Sequence, residues 1–136
     1  MLANGAELHM KKKGETEYKE LPGLKEIPEV GNTPEKVENT TLKDKTKQYE
    51  MGVGDAGEMV YKFKYDNTGA DSSYRILRAL EASGDIASFQ EQDPDGTMVE
   101  FDAQVSVKRT GGGLNGVIDF DVTMALQSEI TFVDPA

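Results

Sequence analysis

Two pairs of carboxylates stand at i, i+2 spacing, Glu100/Asp102 and Asp119/Asp121. Paired acids are what a glycosidase uses, one on each side of the scissile bond. That chemistry needs an apolar pocket to raise the pKa of one acid. Here both pairs alternate with apolar residues, which puts them on the wet side of strands, and the chain has no tryptophan to stack against a sugar. Asp93-Pro94-Asp95-Gly96 starts like a calcium loop. It lacks the further oxygen ligands and the distal bidentate glutamate such a loop requires, and reads as a turn. Gly52, Gly54 and Gly57 mimic a dinucleotide fingerprint, but they neither follow a buried strand nor open a helix. His9 is the only histidine and there is no cysteine, which excludes a histidine metal cluster, a thiolate zinc site and a cysteine nucleophile. A serine triad would have to pass through His9, and no nucleophile motif surrounds any serine. No catalytic, cofactor or metal residue is assigned, and neither enzyme activity nor a cofactor is expected.

The elements that carry the acids are clearer than any site. Val99, Phe101, Ala103, Val105 and Val107 share one face of a first run, with Glu100, Asp102, Gln104, Ser106 and Lys108 opposite. Ile118, Phe120, Val122, Met124 and Leu126 share one face of a second, with Asp119, Asp121 and Thr123 opposite. A period of two over this length predicts strands with one buried and one wet face. The glycine-rich stretch Thr110–Gly116 can turn the chain back on itself. Facing residues must lie on one side of the sheet. A four-residue loop, 111–114, then pairs Val107 with Ile118, Val105 with Phe120 and Ala103 with Val122. On the wet side it sets Ser106 against Asp119 and Gln104 against Asp121, with no two acids opposed. Registers with Val107 facing Gly116 or Phe120 stay open, because glycines tolerate a bulge.

Elsewhere, residues 5–10 and 15–18 flank Lys11-Lys12-Lys13-Gly14 as a short hairpin with a basic tip. Residues 21–34 read as extended loop with an edge pairing, and 36–42 as a weak strand. Residues 43–57 form a long polar segment, in which 46–51 can extend a hairpin arm. Met59, Tyr61, Phe63 and Tyr65 predict a strand. Tyr74, Leu77 and Leu80 predict a helix over about 71–83, capped by Asp71 or Ser72 and closed by Gly84. Strands follow at 86–90 and 129–133, with a turn at 93–97. The fold class is mainly β: an antiparallel barrel or sandwich with one flanking helix, in a single domain over 1–136.

At 136 residues the chain can build a core without a disulfide or metal staple. No run is long enough to span a membrane, and no signal-peptide core precedes the first strand. The formal net charge is −10. Nine lysines nearly balance ten acids in residues 1–50, whereas residues 51–136 carry six basic residues against fifteen acids. Such a chain does not grip nucleic acid through its phosphates. It can form a surface that a polyanion slides past, although solubility alone also explains the charge.

The order of these pieces resembles the tail tube (major tail) proteins of long-tailed bacteriophages. The residues that carry the likeness are 33–42 (Thr33-Pro34 to Thr41-Leu42), Tyr49 to Asp55, Met59 to Tyr65, Ser72 to Arg78, Pro94 to Thr97 and Phe101 to Val107. The glycine turn and Asp119 to Leu126 complete it. The resemblance spans residues 20–133 and lies in the succession of elements rather than in one motif. It implies a barrel-like subunit that closes in sixes into rings, stacked as a tube through which DNA leaves the virion. On that reading Glu100, Asp102, Asp119 and Asp121 line the channel. Replacing Asp119 and Asp121 by lysine would then leave folding intact and impair genome passage. The segment bearing Lys43, Lys45, Lys47, Tyr49, Met51 and Asp55, together with the termini, would make contacts between subunits or rings. The implied partners are other copies of the chain, a tape-measure protein and a tail-terminator or distal tail protein. DNA would pass without specific binding, and no membrane is involved. The implied location is the phage tail, built from subunits made in the host cytoplasm. The chain's end at Ala136 leaves no room for a decorating immunoglobulin-like domain. The inner tube protein of a contractile injection machine is one alternative. A monomeric carbohydrate- or ligand-binding β-domain is another, although the tyrosines and phenylalanines fall mostly at patterned strand or helix positions.

Overall fold

In the computed structural model, which describes residues 1–31, 36–51 and 58–136, the alternating runs are strands. In chain order they are β1 (Glu7–Lys11), β2 (Lys19–Leu21), β3 (Leu24–Glu26), β4 (Lys36–Glu38), β5 (Tyr49–Met51), β6 (Met59–Lys64), β7 (Ala87–Gln92), β8 (Met98–Arg109), β9 (Asp119–Leu126) and β10 (Thr131–Val133). The helix α1 (Ser73–Ser83) lies between β6 and β7. Eight strands form one antiparallel sheet in the order β2-β1-β7-β8-β9-β6-β3, with β10 paired to the start of β8 in line with β9. Among the described residues β4 and β5 pair only with each other.

The two ends of the large sheet belong to one stretch of chain. β2 passes into β3 through Pro22-Gly23, and the Gly23 carbonyl accepts the Lys64 amide at 2.8 Å. The sheet therefore curls round its apolar face. Leu8, Met59, Tyr61, Phe63, Phe89, Phe120 and Val122 are each 0% exposed inside it. Full burial of a side chain of this size contributes about 1.5–3 kcal/mol. Tyr61 on β6 stacks with Phe101 on β8 at 6.3 Å between centroids, and Phe101 stacks with Phe89 at 5.7 Å. Contacts between non-neighbouring strands across the interior give the curl its barrel character.

Helix α1 closes the interior with Leu77 and Leu80. Its first turn is held by Ser73 Oγ, which donates to the Pro22 carbonyl. At its far end, Gln104 Nε2 donates to the Gly84 carbonyl. Gly84 adopts the left-handed conformation expected of it, with φ 71°. Ser72 occupies the N-cap position but does not cap a first-turn amide; its hydroxyl bonds the Gly69 carbonyl instead.

The β8–β9 register differs from all three expected ones. Val107 faces Val122, Val105 faces Met124 and Ala103 faces Leu126. The faces are as expected, but the loop is longer. Thr110 closes the ladder by donating from its amide to the Asp119 carbonyl, and it accepts the Asp119 amide on its hydroxyl. Residues 111–118 are left outside the pairing, so Ile118 is not a β9 residue and is 41% exposed. A tight turn at the tip makes the longer loop possible. A Cβ on Gly116 would sit 2.9 Å from the Gly113 nitrogen, a separation that only glycine allows.

Candidate functional site

The face of the sheet opposite the core carries all four of the expected carboxylates, but in two separate places. Period-two alternation and the register set Lys11, Ser88 and Asp102 in one row across β1, β7 and β8. The neighbouring row reads Glu20, His9, Gln90, Glu100 and Thr131. Asp119 and Asp121 lie at the far end of β8, opposite Thr110 and Lys108. Six residues of strand, roughly 20 Å, separate the level of Asp102 from that of Lys108.

The environments of the two pairs differ in kind. Asp102 accepts the Ser88 hydroxyl at 2.7 Å, and its amide donates to Ser128 Oγ. Glu100 and Asp102 border an open groove of about 440 Å³ with Tyr18, Ser128 and Glu129. Burial, followed by the charges of Glu100 and Asp102, raises the Tyr18 phenol above its ordinary range. This end of the face is polar, acidic and reachable.

Asp119 is not the wet side chain that alternation suggested. It is 8% exposed, and both its oxygens accept Lys25 Nζ, at 3.1 and 2.9 Å. Asp121 is flanked in the sheet by Lys108 on β8 and Lys62 on β6, and Lys62 faces Glu26 on β3. Across four strands the row reads Lys108, Asp121, Lys62, Glu26. Each charge has an opposite charge beside it, the arrangement that favours cross-strand pairing. The register expected from sequence set Gln104 against Asp121 and missed this row. It also follows that lysine at 119 and 121 would disturb the fold, contrary to expectation. Lys25, Lys62, Lys64 and Lys108 stand beside these acids, a grouping that the sequence pattern alone does not show. The alternation of Lys62 and Lys64 on β6 was the available signal.

The expected contact segment is only partly described. Asp55 and the rest of 52–57 lie outside the described residues, and the Met51 side chain is likewise not described. β4 and β5 make a short ribbon, extended by the Asn39 amide donating to the Gln48 carbonyl at 2.8 Å. A turn at its head is closed by Asp44, which accepts the Thr41 amide. Lys43, Lys45 and Lys47 are exposed there, and Tyr49 is 55% exposed.

One further carboxyl lies inside. Glu91 points into the core from β7, is 2% exposed, and accepts the Tyr61 hydroxyl at 2.9 Å. Burial and the neighbouring Asp93 push its pKa up to about 8. It is sealed from solvent, with Leu8 on β1 and Val99 on β8 as its cross-strand neighbours. Among the described residues no three His, Asp or Glu side chains converge as a metal site.

The sequence profile of a family described as phage tail tube protein (TTP) matches residues 6–135. Three solved structures share the fold. A chain in the tail of an empty GTA particle, refined with C6 symmetry, superposes with a TM-score of 0.72 at 21% identity, covering 96% of this chain and 98% of that one. A chain in the sixfold-symmetrised baseplate of the anti-feeding prophage gives 0.69 at 8% identity, covering 98% and 95%. A chain in the virion of the native gene transfer agent gives 0.67 at 20% identity, covering 93% and 95%. No curated protein sequence matches this chain.

Proposed function

The chain belongs to the phage tail tube protein family, and from that premise we propose that six copies close into a ring, that rings stack into a tube, and that the polar face of the sheet borders the bore. The observation that carries this is the family match over nearly the whole chain, joined to a sheet with one sealed and one polar face. The sixfold symmetry of the tail and baseplate structures that share the fold supports the ring number.

The work of such a subunit is geometric and not catalytic. Among the described residues no strand pairs with β8 past Ala103 on the β7 side, where α1 packs against β8, and β10 pairs on one side only. Free edges invite pairing with another chain, and ring closure removes them. Glu100 and Asp102 would give the bore a negative zone that repels phosphates. Asp119 and Asp121 share that face, but the lysines beside them make a balanced zone. Lys25 is ion-paired with Asp119, and Lys62, Lys64 and Lys108 lie across the sheet from Asp121 or Asp119, so the positive charge there is offset by nearby carboxylates. The exposed ribbon bearing Lys43, Lys45, Lys47 and Tyr49, with Met51 and Asp55, would reach neighbouring copies. A tape-measure protein inside the tube and terminator or distal tail proteins at its ends are the further partners. The finished subunit would sit in the virion tail after synthesis in the host cytoplasm.

The likeness to a chain of the anti-feeding prophage baseplate favours a second reading, the inner tube of a contractile machine. It differs in needing an outer surface that holds a sheath. Negative-stain microscopy of the purified protein tests the first reading. Hollow rods or six-membered rings are expected; a monomer persisting at high concentration would refute it.

A further inference from the structure

The pair β1–β7 has opposite charges at its two ends. At one end β1 runs into Lys11-Lys12-Lys13-Gly14, beside the start of β7. At the other, β7 runs into the turn Asp93-Pro94-Asp95-Gly96-Thr97. The six residues of β7 hold these ends roughly 20 Å apart.

At the basic end there is a cleft of about 240 Å³ between the tip and α1. Lys12 and Lys13 border it on one side and Ile76, Ala79 and Leu80 on the other, with Asp85 at its margin. Among the described residues, the ammonium groups of Lys12 and Lys13 make no ion pair. Glu15, the nearest acid in the loop, is already engaged by the Lys12 amide at 2.8 Å and by Lys19 at 3.3 Å.

At the acidic end Pro94 and Asp95 are exposed at the crest of the turn. The turn is held by the Gly96 amide donating to the Asp93 carbonyl and by Asp95 accepting the Thr97 amide. Exposed Asp134 follows β10 beside it, since Pro135 lies within 3.2 Å of where a Gly96 Cβ would be. The Thr97 amide chiefly, and the N-terminal ammonium to a smaller degree, hold the Asp95 carboxyl below its ordinary range. With exposed Asp95 and Asp134 against that one ammonium, this end stays negative.

We propose that the Asp93–Thr97 turn of one copy docks into the Lys12/Lys13–α1 cleft of the next copy along the tube. Pro94 meets Ile76 and Ala79, and Asp95 meets Lys12 and Lys13. The contact is head-to-tail and joins two different surfaces, so it does not close and propagates as a filament. It rests on the tube reading and adds the polarity and chemistry of the axial joint.

The test uses two charge-reversed variants of the full chain, Lys12→Glu/Lys13→Glu and Asp95→Lys/Asp134→Lys, with polymer length read by electron microscopy. The first variant is negative at both ends and the second positive at both. Each alone is expected to give rings with tubes at least tenfold shorter than wild type. An equimolar mixture is expected to recover long tubes, because unlike ends then alternate; such recovery also establishes that both variants fold. Wild-type length from either variant alone, or no recovery on mixing, would overturn the proposal. Absence of rings from the wild-type protein would overturn the tube reading itself, a result that the ring-forming variants keep separate from failure of the joint.

Discussion

Tyr61 donates its hydroxyl to Glu91 at 2.9 Å across the inside of the curled sheet. The two residues sit on β6 and β7, which are separated in the sheet by β8 and β9. This bond ties opposite walls of the barrel together and places an acid where an apolar side chain would ordinarily pack. Its cost is a dependence on pH.

The folded state raises the Glu91 pKa from 4.5 to about 8, through burial first and Asp93 second. The native protein therefore keeps a proton that the unfolded chain releases above pH 4.5. Stability from this group is full below pH 4.5, falls as pH rises towards 8, and levels off above. The limiting slope is about 1.4 kcal/mol per pH unit. Thermal midpoints of the wild type should fall from pH 5 to pH 8, and Glu91→Gln should flatten that decline. An equal slope in both proteins would contradict the assignment.

Lys25→Met should destabilise by about 1–3 kcal/mol, because it leaves the Asp119 carboxylate buried without its cation. Lys25→Met/Asp119→Asn should regain most of the loss. Urea unfolding of the two variants checks this; equal losses in both would mean the pair contributes through packing alone.

Asp121→Lys places three lysines side by side across β8, β9 and β6. A loss of about 1 kcal/mol is expected from like-charge opposition. Asp121→Lys/Lys108→Asp should recover part of it, as judged from the urea midpoint. No coupling between the two substitutions would show that the row contributes nothing.

Gly116→Ala should cost about 1–2 kcal/mol, because the new methyl group meets the Gly113 nitrogen at 2.9 Å. Gly111→Ala meets nothing within 4 Å and should be nearly neutral. Thermal melts of the two variants give the contrast directly.

The faces of the sheet were legible in the sequence because side-chain direction follows the backbone with a period of two. Phe101 and Phe120 point inward, as Val99–Val107 and Phe120–Leu126 required. The helix and its Gly84 stop were legible for the same local reasons. The register was not, since a loop with four glycines between 111 and 116 accepts many lengths. What selects the register is a third strand: Lys62 on β6 lies beside Asp121, and no local pattern says that β6 neighbours β9. Lys25 is 94 residues from Asp119 along the chain, so its pairing was equally hidden. Glu91 was not legible because a strand ending at Gln90 leaves it between that strand and the turn at 93–97. Extended to Gln92, the phase of Ala87 and Phe89 carries it inward.

The central claim, that the polar side of β8 and β9 faces a bore made by six copies, is tested most directly by a side-chain-resolution reconstruction of the assembled tube. The predicted result is a sixfold ring with Glu100 and Asp102 projecting into the lumen and α1 on the outside. A lumen lined by α1, or Glu100 and Asp102 buried between subunits, would contradict it.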